Sequence, residues 1–246
     1  MTRDEHWLLE EKYNGIKTTE FETDKIRLAS GEPLAYVIGS QPFLGLTINL
    51  DSHPLIPRVE TEWWTEQMLG KVRTSNVLTF LDLCAGSGAI GCAALAKLSN
   101  VKVYFGEIDP AHKATIFKNI RENRLDEKRS DIRIGDLFEP FDDLRFDFIA
   151  CNPPYIPESR PLDTSVTDYE PALALYAEND GLGIIRRIAA ELPKRLKPGG
   201  EAWIECDSAH AAAACALFTD QGLFADILPD QYSVPRVVRV HRNEVI

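Results

Sequence analysis

Residues Asn76 to Ser99 read "NVLTFLDLCAGSGAIGCAALAKLS", and this stretch decides the architecture. It opens with a mostly apolar run suited to a buried strand, passes through a glycine-rich loop, and continues as a helix of small residues. Working outward, the same alternation repeats. "VKVYFGE" predicts a strand and "DPAHKATIFKNIREN" a helix, while "DIRI" and "FDFIA" (Phe146 to Ala150) predict two further short strands. A helix is expected over "GLGIIRRIAAELPKRL", with ends blurred by Gly183 and Pro193. "KPGG" reads as a turn into the strand "EAWIE", and "SAHAAAACALFTDQ" as a helix. Alternating strands and helices with short links imply a doubly wound α/β fold, a parallel sheet covered by helices. The closing pair "FADIL" and "RVVRVH" has no helix between its strands, which predicts an antiparallel hairpin at one sheet edge.

Upstream, the first thirty residues suggest one or two short helices ending at "ASGEP". In "FLGLTINLD", Leu46, Ile48 and Leu50 alternate as in a half-buried strand. "LIPRVETEWWTEQML" turns at Pro57 and starts a helix with Glu60 and Glu62 in its favourable first turn. Trp63 and Trp64 read as helix packing. Arg58 and Glu62 could pair at a pocket entrance or simply be solvated.

Gly86, Gly88 and Gly91 match G-x-G-x-x-G. The pattern alone is weak, but here it follows a strand and opens a helix, as a cofactor loop must. Glycines there let a ligand approach the backbone. Two cofactor types remain open at this point. A dinucleotide would set its pyrophosphate on the helix N-terminus. Asp82, at the strand end, opposes that and suits a ligand bearing a cationic ammonium and sulfonium, such as S-adenosylmethionine. Its plain alternative is a helix-capping carboxylate. Glu107 ends the second strand about twenty residues on, where a carboxylate can accept both ribose hydroxyls of either cofactor. After the third strand, Asp136 of "GDLF" could meet an adenine amino group while Leu137 or Phe138 packs on the ring.

"CNPPY", Cys151 to Tyr155, ends the fourth strand, next to the first in such a sheet and facing the same crevice. Asn-Pro is also a common turn. A planar nitrogen is a poor nucleophile because its lone pair is delocalised. The Asn152 side chain and the Pro153 carbonyl could each accept one of its N–H groups, turning the lone pair toward a methyl group. Tyr155 could stack on the planar group. Glu170 could position the loop over the substrate, with capping and turn roles also open, and Cys151 reads as a buried packing thiol.

The chain has 246 residues, 44% hydrophobic and 26% charged, enough for one large domain or one domain plus an appendage. A net charge of −11 disfavours nucleic acid as a partner. The cysteines at 84, 92, 151, 206 and 215 lack a Cys-x-x-Cys pair and the histidines are scattered, so no metal site is expected. Apolar runs are too short for a membrane span, and the N-terminus lacks a secretory signal, so a cytoplasmic protein is expected.

Taken together, these motifs resemble the HemK-type glutamine N5-methyltransferases of peptide chain release factors. "GEPLAYVIGSQPFLGLTINLD" and "LIPRVETEWW" are similar to that family's lead-in hairpin and PRxETE segment. "LDLCAGSGAIG", "GEIDP", "GDLF" and "FDFIACNPPYIP" are similar to its cofactor and catalytic motifs, and "YEPALALYAENDGLGIIRRI" and "LKPGGEAWIE" to its C-terminal signatures. The resemblance covers almost everything after residue 31. It implies a seven-stranded, Rossmann-like class I methyltransferase sheet with a separate N-terminal helical domain. It further implies that Cys84, Ala85, Gly86, Ser87 and Gly88, with Glu107, bind S-adenosyl-L-methionine. Asn152, Pro153, Pro154 and Tyr155 would hold the side-chain amide of a glutamine, in the GGQ tripeptide of a release factor.

There are three departures from that family. Cys84 and Ala85 stand where Gly and Thr are usual, Leu137 stands at a position that can be aromatic, and only about thirty residues precede "GEPLAY". The expected division is a short helical segment at 1–30, a lead-in hairpin and helix at 31–72, and the transferase domain at 73–246. Glutamine methylation of a ribosomal protein, or amino-group methylation of RNA or DNA, would share NPPY. An NAD-dependent oxidoreductase would leave Asp82 and NPPY unexplained, and a scaffold without activity would leave NPPY unexplained.

Overall fold

The computed structural model describes residues 1–72, 76–178 and 180–243. The boundary expected at 72/73 and Asn179 of the "YAEND" segment therefore touch positions outside the described residues. Helices α1 (Arg3–Tyr13), α2 (Thr19–Ala29) and α3 (Leu34–Ile38) come first, then strands β1 (Ser40–Phe43) and β2 (Leu46–Asn49), then α4 (Val59–Lys71). The alternating part runs β3 (Leu78–Leu83), α5 (Ala89–Lys97), β4 (Val101–Glu107), α6 (His112–Glu122), β5 (Ser130–Ile134) and β6 (Phe146–Cys151). After two single turns, α7 (Thr164–Thr167) and α8 (Ala172–Leu175), come α9 (Gly183–Arg195), β7 (Leu196–Glu205), α10 (Ala211–Thr219), β8 (Phe224–Pro229) and β9 (Pro235–His241).

The large sheet has seven strands in the order β5-β4-β3-β6-β7-β9-β8. The first five are parallel, and β9 lies antiparallel between β7 and β8, so the expected C-terminal hairpin forms one edge. Strand alternation assigns side chains to two cores. Phe80, Val103, Phe105, Ala150 and Trp203 face α4, α5 and α6. Leu81, Leu83, Ile149, Cys151 and Ile204 face α9 and α10 on the opposite side. The chain leaves β3 for β4 and β5 on one side and returns to β6 and β7 on the other. The strand order therefore reverses between β3 and β6, where such sheets open a crevice at the strand ends.

Helix α5 lies close on the sheet because its residues are small. A Cβ at Gly91 would come within 2.2 Å of Phe105 Cε1. The β1–β2 hairpin is held over this layer by a buried amide, Asn119. Its Oδ1 accepts the Asn49 N–H at 2.7 Å, and its Nδ2 donates to the carbonyls of Asn49 and Ser87. The N-terminal helices carry a small core of their own from Leu8, Leu9, Phe21 and Val37. Beside it, the buried Asp24 accepts from Lys12, Tyr13 and Arg27.

"KPGG" is not the turn expected from its composition. It lies inside β7 as an irregularity: Phe146 pairs with Leu196 and Phe148 with Glu201, so the intervening residues bulge. The glycines permit this, with Gly199 at φ +73°, and the far edge stays bonded through Gly199 N–H to the Arg242 carbonyl. Among the described residues no helix is long and apolar enough to cross a membrane.

Candidate active site

A cleft opens at the carboxyl ends of the paired strands β3 and β6, lined by Leu55, Leu83, Cys84, Gly86, Glu107, Asp136, Leu137, Asn152 and Pro154 among others. The βα loop after β3 and the Asn-Pro-Pro-Tyr loop after β6 thus meet at one place. Adjacent pairing delivers this, with Leu83 of β3 opposite Cys151 of β6. Ile108 and Asp109 join from beyond β4, Gly135 from beyond β5, and Pro171, Leu173 and Ala174 from the α8 turn.

The motif glycines divide by task. Gly86 faces the cleft at φ +53°, and a Cβ there would meet only Pro54 Cβ, at 3.8 Å. At Gly88, φ +77°, a Cβ would stand 3.0 Å from Ile116 Cγ2, so Gly88 and Gly91 serve packing. Cys84 holds a left-handed φ of +59° without being glycine. Ala85, Ser87 and Gly88 stand in the loop behind the cleft wall and do not line it.

Asp82 likewise does not line the cleft. Its carboxylate is buried under the loop, where Oδ2 accepts the Gly91 N–H at 2.8 Å, the third residue of α5. Oδ1 is buried without a hydrogen-bond partner. Burial pushes the carboxyl well above its ordinary range, the Gly91 N–H lowers it, and the nearby Glu107 charge raises it again. Glu107 ends β4 with Oε2 accepting the Gly86 N–H at 2.7 Å and Oε1 accepting the Asp109 N–H at 2.9 Å. Each oxygen keeps a further lone pair for a hydroxyl. Asp136 lines the cleft with Oδ2 paired to Arg187 at 2.7 Å, and the mostly buried Leu137 lies beside it, while Phe138 is fully buried in the core.

A glycine open to the cleft, a cleft-lining glutamate with lone pairs to spare and an apolar wall fit S-adenosylmethionine, whose methionyl end, ribose and adenine need those environments.

Asn152 donates from Nδ2 to Thr61 Oγ1 of α4 at 3.1 Å. Thr61 in turn donates to Oε2 of Glu205, the last residue of β7, at 2.6 Å. Trp64 Nε1 donates to the same oxygen at 2.7 Å, and the Tyr155 hydroxyl donates to Oε1 at 2.9 Å. Pro153 and Tyr155 do not line the cleft, and the Tyr155 ring packs against the core on the α9 side. Burial pushes the Glu205 carboxyl up, while its three donors pull it down. The Tyr155 hydroxyl is pushed well above its ordinary range by burial and by the Glu205 charge. Cys151 is fully buried, its thiol raised by burial and then by the neighbouring Cys84.

Arg58 and Glu62 do not pair. Arg58 precedes α4 as its N-cap and reaches Glu170, while Glu62 Oε1 accepts the Leu44 N–H at 2.6 Å. Trp64 is buried packing, but Trp63 is 37% exposed at the surface. Glu205 and Thr61 were not singled out from sequence. The available signals were an acid closing the apolar strand "EAWIE" and the hydroxyl inside "PRVETEWW". All five cysteines are free thiols, and among the described residues no cluster of three or more His, Cys, Asp or Glu could hold a metal.

Comparison with known proteins agrees with this geometry. Residues 64–168 match the family model described as Methyltransferase small domain. The chain is 35% identical over 207 residues to the release factor glutamine methyltransferase of Chlamydia trachomatis serovar L2, covering 83% of this chain and 70% of that protein. It is 36% identical over 216 residues to the namesake in Geobacter sulfurreducens, covering 86% and 74%. Among solved structures, the T. thermophilus 16S rRNA N2 G1207 methyltransferase in complex with AdoMet and guanosine superposes with a TM-score of 0.59. That match has 18% identity and covers 83% of this chain and 50% of that one, a likeness of fold. With two relatives above a third identical over most of both chains, the chain belongs to the release factor glutamine methyltransferase family.

Proposed function

We propose that the protein transfers the methyl group of S-adenosylmethionine to the side-chain amide nitrogen of a glutamine, in the GGQ motif of a peptide chain release factor. The observation that carries the reading is that Asn152 and Pro154 line the same cleft as Gly86 and Glu107. When bound, the cofactor supplies an electrophilic methyl group. In this reading Glu107 accepts the ribose hydroxyls, Asp136 and Leu137 receive the adenine, and the Cys84–Gly88 loop passes along the methionyl end. Asp82, buried beneath the loop, holds it to the start of α5 through the Gly91 N–H.

The glutamine amide nitrogen attacks poorly because its lone pair is spread over the carbonyl. The Asn152 side-chain carbonyl accepts one of that nitrogen's N–H groups, and the main-chain carbonyl of Pro153, between the cleft-lining Asn152 and Pro154, accepts the other. Together they hold the lone pair toward the methyl and stabilise positive charge as it develops. Acceptors preorganised in this way stabilise developing charge without reorganising during the reaction. The methylated nitrogen then loses its extra proton readily, so no tuned general base is required. Tyr155, anchored on Glu205, keeps the Asn-Pro-Pro segment in place.

In this reading residues 73–246 are the transferase domain, 31–72 its lead-in hairpin and helix, and 1–30 a short helical segment available to the protein substrate. Tandem mass spectrometry of a release factor after incubation with enzyme and cofactor tests the assignment. One methyl on the glutamine amide nitrogen of GGQ is expected. A methyl elsewhere on the factor, or on a ribosomal protein or RNA supplied in its place, would contradict it.

A further inference from the structure

Resting on that reading, we infer that Thr61 and Glu205 are positioning residues that set which end of the Asn152 carboxamide faces the substrate. The two ends of an asparagine amide have nearly the same shape, so only the polarity of their partners distinguishes them. The polarity here is determined from the far end of the chain of bonds. Trp64 Nε1 can only donate, so Oε2 of Glu205, at 2.7 Å from it, must be an acceptor. A carboxylate only accepts, so with Glu205 ionised the Thr61 hydroxyl, 2.6 Å from the same oxygen, spends its one proton there. Thr61 Oγ1 is left able only to accept from Asn152, at 3.1 Å. An accepting oxygen draws the NH₂ end of the amide, and the carbonyl oxygen is the end left for the cleft. A reversed amide would set two acceptors against each other and present N–H groups to the N–H groups of the substrate.

Burial makes this polarity firm. Thr61 is 4% exposed and Glu205 1%, so water does not compete for these atoms. Tyr155 on the other carboxylate oxygen ties the end of the same loop to the same residue, at 2.9 Å. The hub thus joins α4, β7 and the Asn-Pro-Pro-Tyr loop, and its acceptor character is transmitted through one hydroxyl to one amide.

The test compares wild type with Thr61→Val, which keeps the shape and removes the hydroxyl, and Thr61→Ser, which keeps the hydroxyl. Methyl transfer to a release factor is measured at saturating cofactor. Thr61→Val should lower kcat by about 10- to 100-fold, the scale of a misplaced reacting group. Cofactor affinity should stay within about 2-fold, because Thr61 does not line the cleft, and Thr61→Ser should restore most of the rate. In an Asn152→Ala background, Thr61→Val should cost nothing further, whereas a merely structural role would add its penalty. Thr61→Ala serves in place of Thr61→Val if that variant does not fold.

Hydrogen exchange of the Asn152 side-chain NH₂, followed by ¹⁵N NMR, separates this inference from the substrate assignment. Slow exchange in wild type and Thr61→Ser with fast exchange in Thr61→Val supports the positioning role even if the release factor is not methylated, in which case only the substrate reading falls. Equal rates and equal exchange in Thr61→Val and wild type would overturn the inference, as would full additivity with Asn152→Ala.

Discussion

The Arg58 guanidinium donates to Oε1 of Glu170 at 2.5 Å, joining two segments 112 residues apart. Glu170 is almost fully buried, and its other oxygen accepts the Ile56 N–H at 3.2 Å. Leu55 and Pro171, each next in sequence to one of these partners, line the cleft. Arg58→Ala leaves a buried carboxylate with one donor and should cost about 1–3 kcal/mol of stability. Cofactor affinity should fall with it as the two cleft walls lose register. Thermal melts and calorimetric titration check both effects, and a variant unchanged in either would deny the clasp its role.

The motif glycines should separate stability from binding. Gly91→Ala places a Cβ on Phe105 and should destabilise by about 1–3 kcal/mol, the cost of overpacking a filled core. Gly86→Ala meets open space but must hold φ +53°, a left-handed backbone that costs an L residue about 1 kcal/mol. A modest stability loss should therefore accompany a larger effect on cofactor affinity, measured by titration beside a melt. Large binding loss at Gly91 with intact stability, or unchanged cofactor affinity at Gly86, would reverse the assignment.

The extent to which the sequence reveals this protein follows from how local each feature is. The alternation of Phe80, Leu81 and Leu83 and the small residues of α5 encode strand, loop and helix within a few positions, and Asn152 follows its own strand directly. The Glu205 hub was not legible, since its bond to Thr61 spans 144 residues and a terminal strand acid looks like any polar edge. Glu62 lies four residues after Arg58, a helical pairing distance. Arg58, however, precedes the helix with extended backbone, so that spacing rule does not hold and its partner comes from elsewhere. "KPGG" has turn composition, but the neighbouring strands keep it in the sheet as a bulge.

Glu107 links the glycine loop and the β4 end through the Gly86 and Asp109 N–H groups. Glu107→Ala removes both and the acceptor proposed for the ribose. Cofactor affinity should fall by about 10- to 100-fold, the worth of one or two hydrogen bonds to a charged group. Isothermal titration measures it, and an affinity equal to wild type would exclude Glu107 from the cofactor site.

Asp147 is a source of acid sensitivity. Burial pushes its carboxyl up, but Lys197 on β7 and the Thr79 N–H and hydroxyl on β3 outweigh it and hold the group below the usual value. A depressed folded-state value means stability that is complete above the unfolded value of about 4 and is lost as pH falls through the folded one. Asp147→Asn should therefore melt below wild type near neutrality, with the difference shrinking below about pH 4. A difference that does not change with pH would contradict this.

The central claim is methyl transfer to one glutamine, and the most direct measurement is transfer of labelled methyl from S-adenosylmethionine to a release factor beside a copy whose GGQ glutamine is alanine. Label on the first and none on the second is the predicted result. Equal label on both, or none on either while calorimetry shows the cofactor bound, would contradict the account.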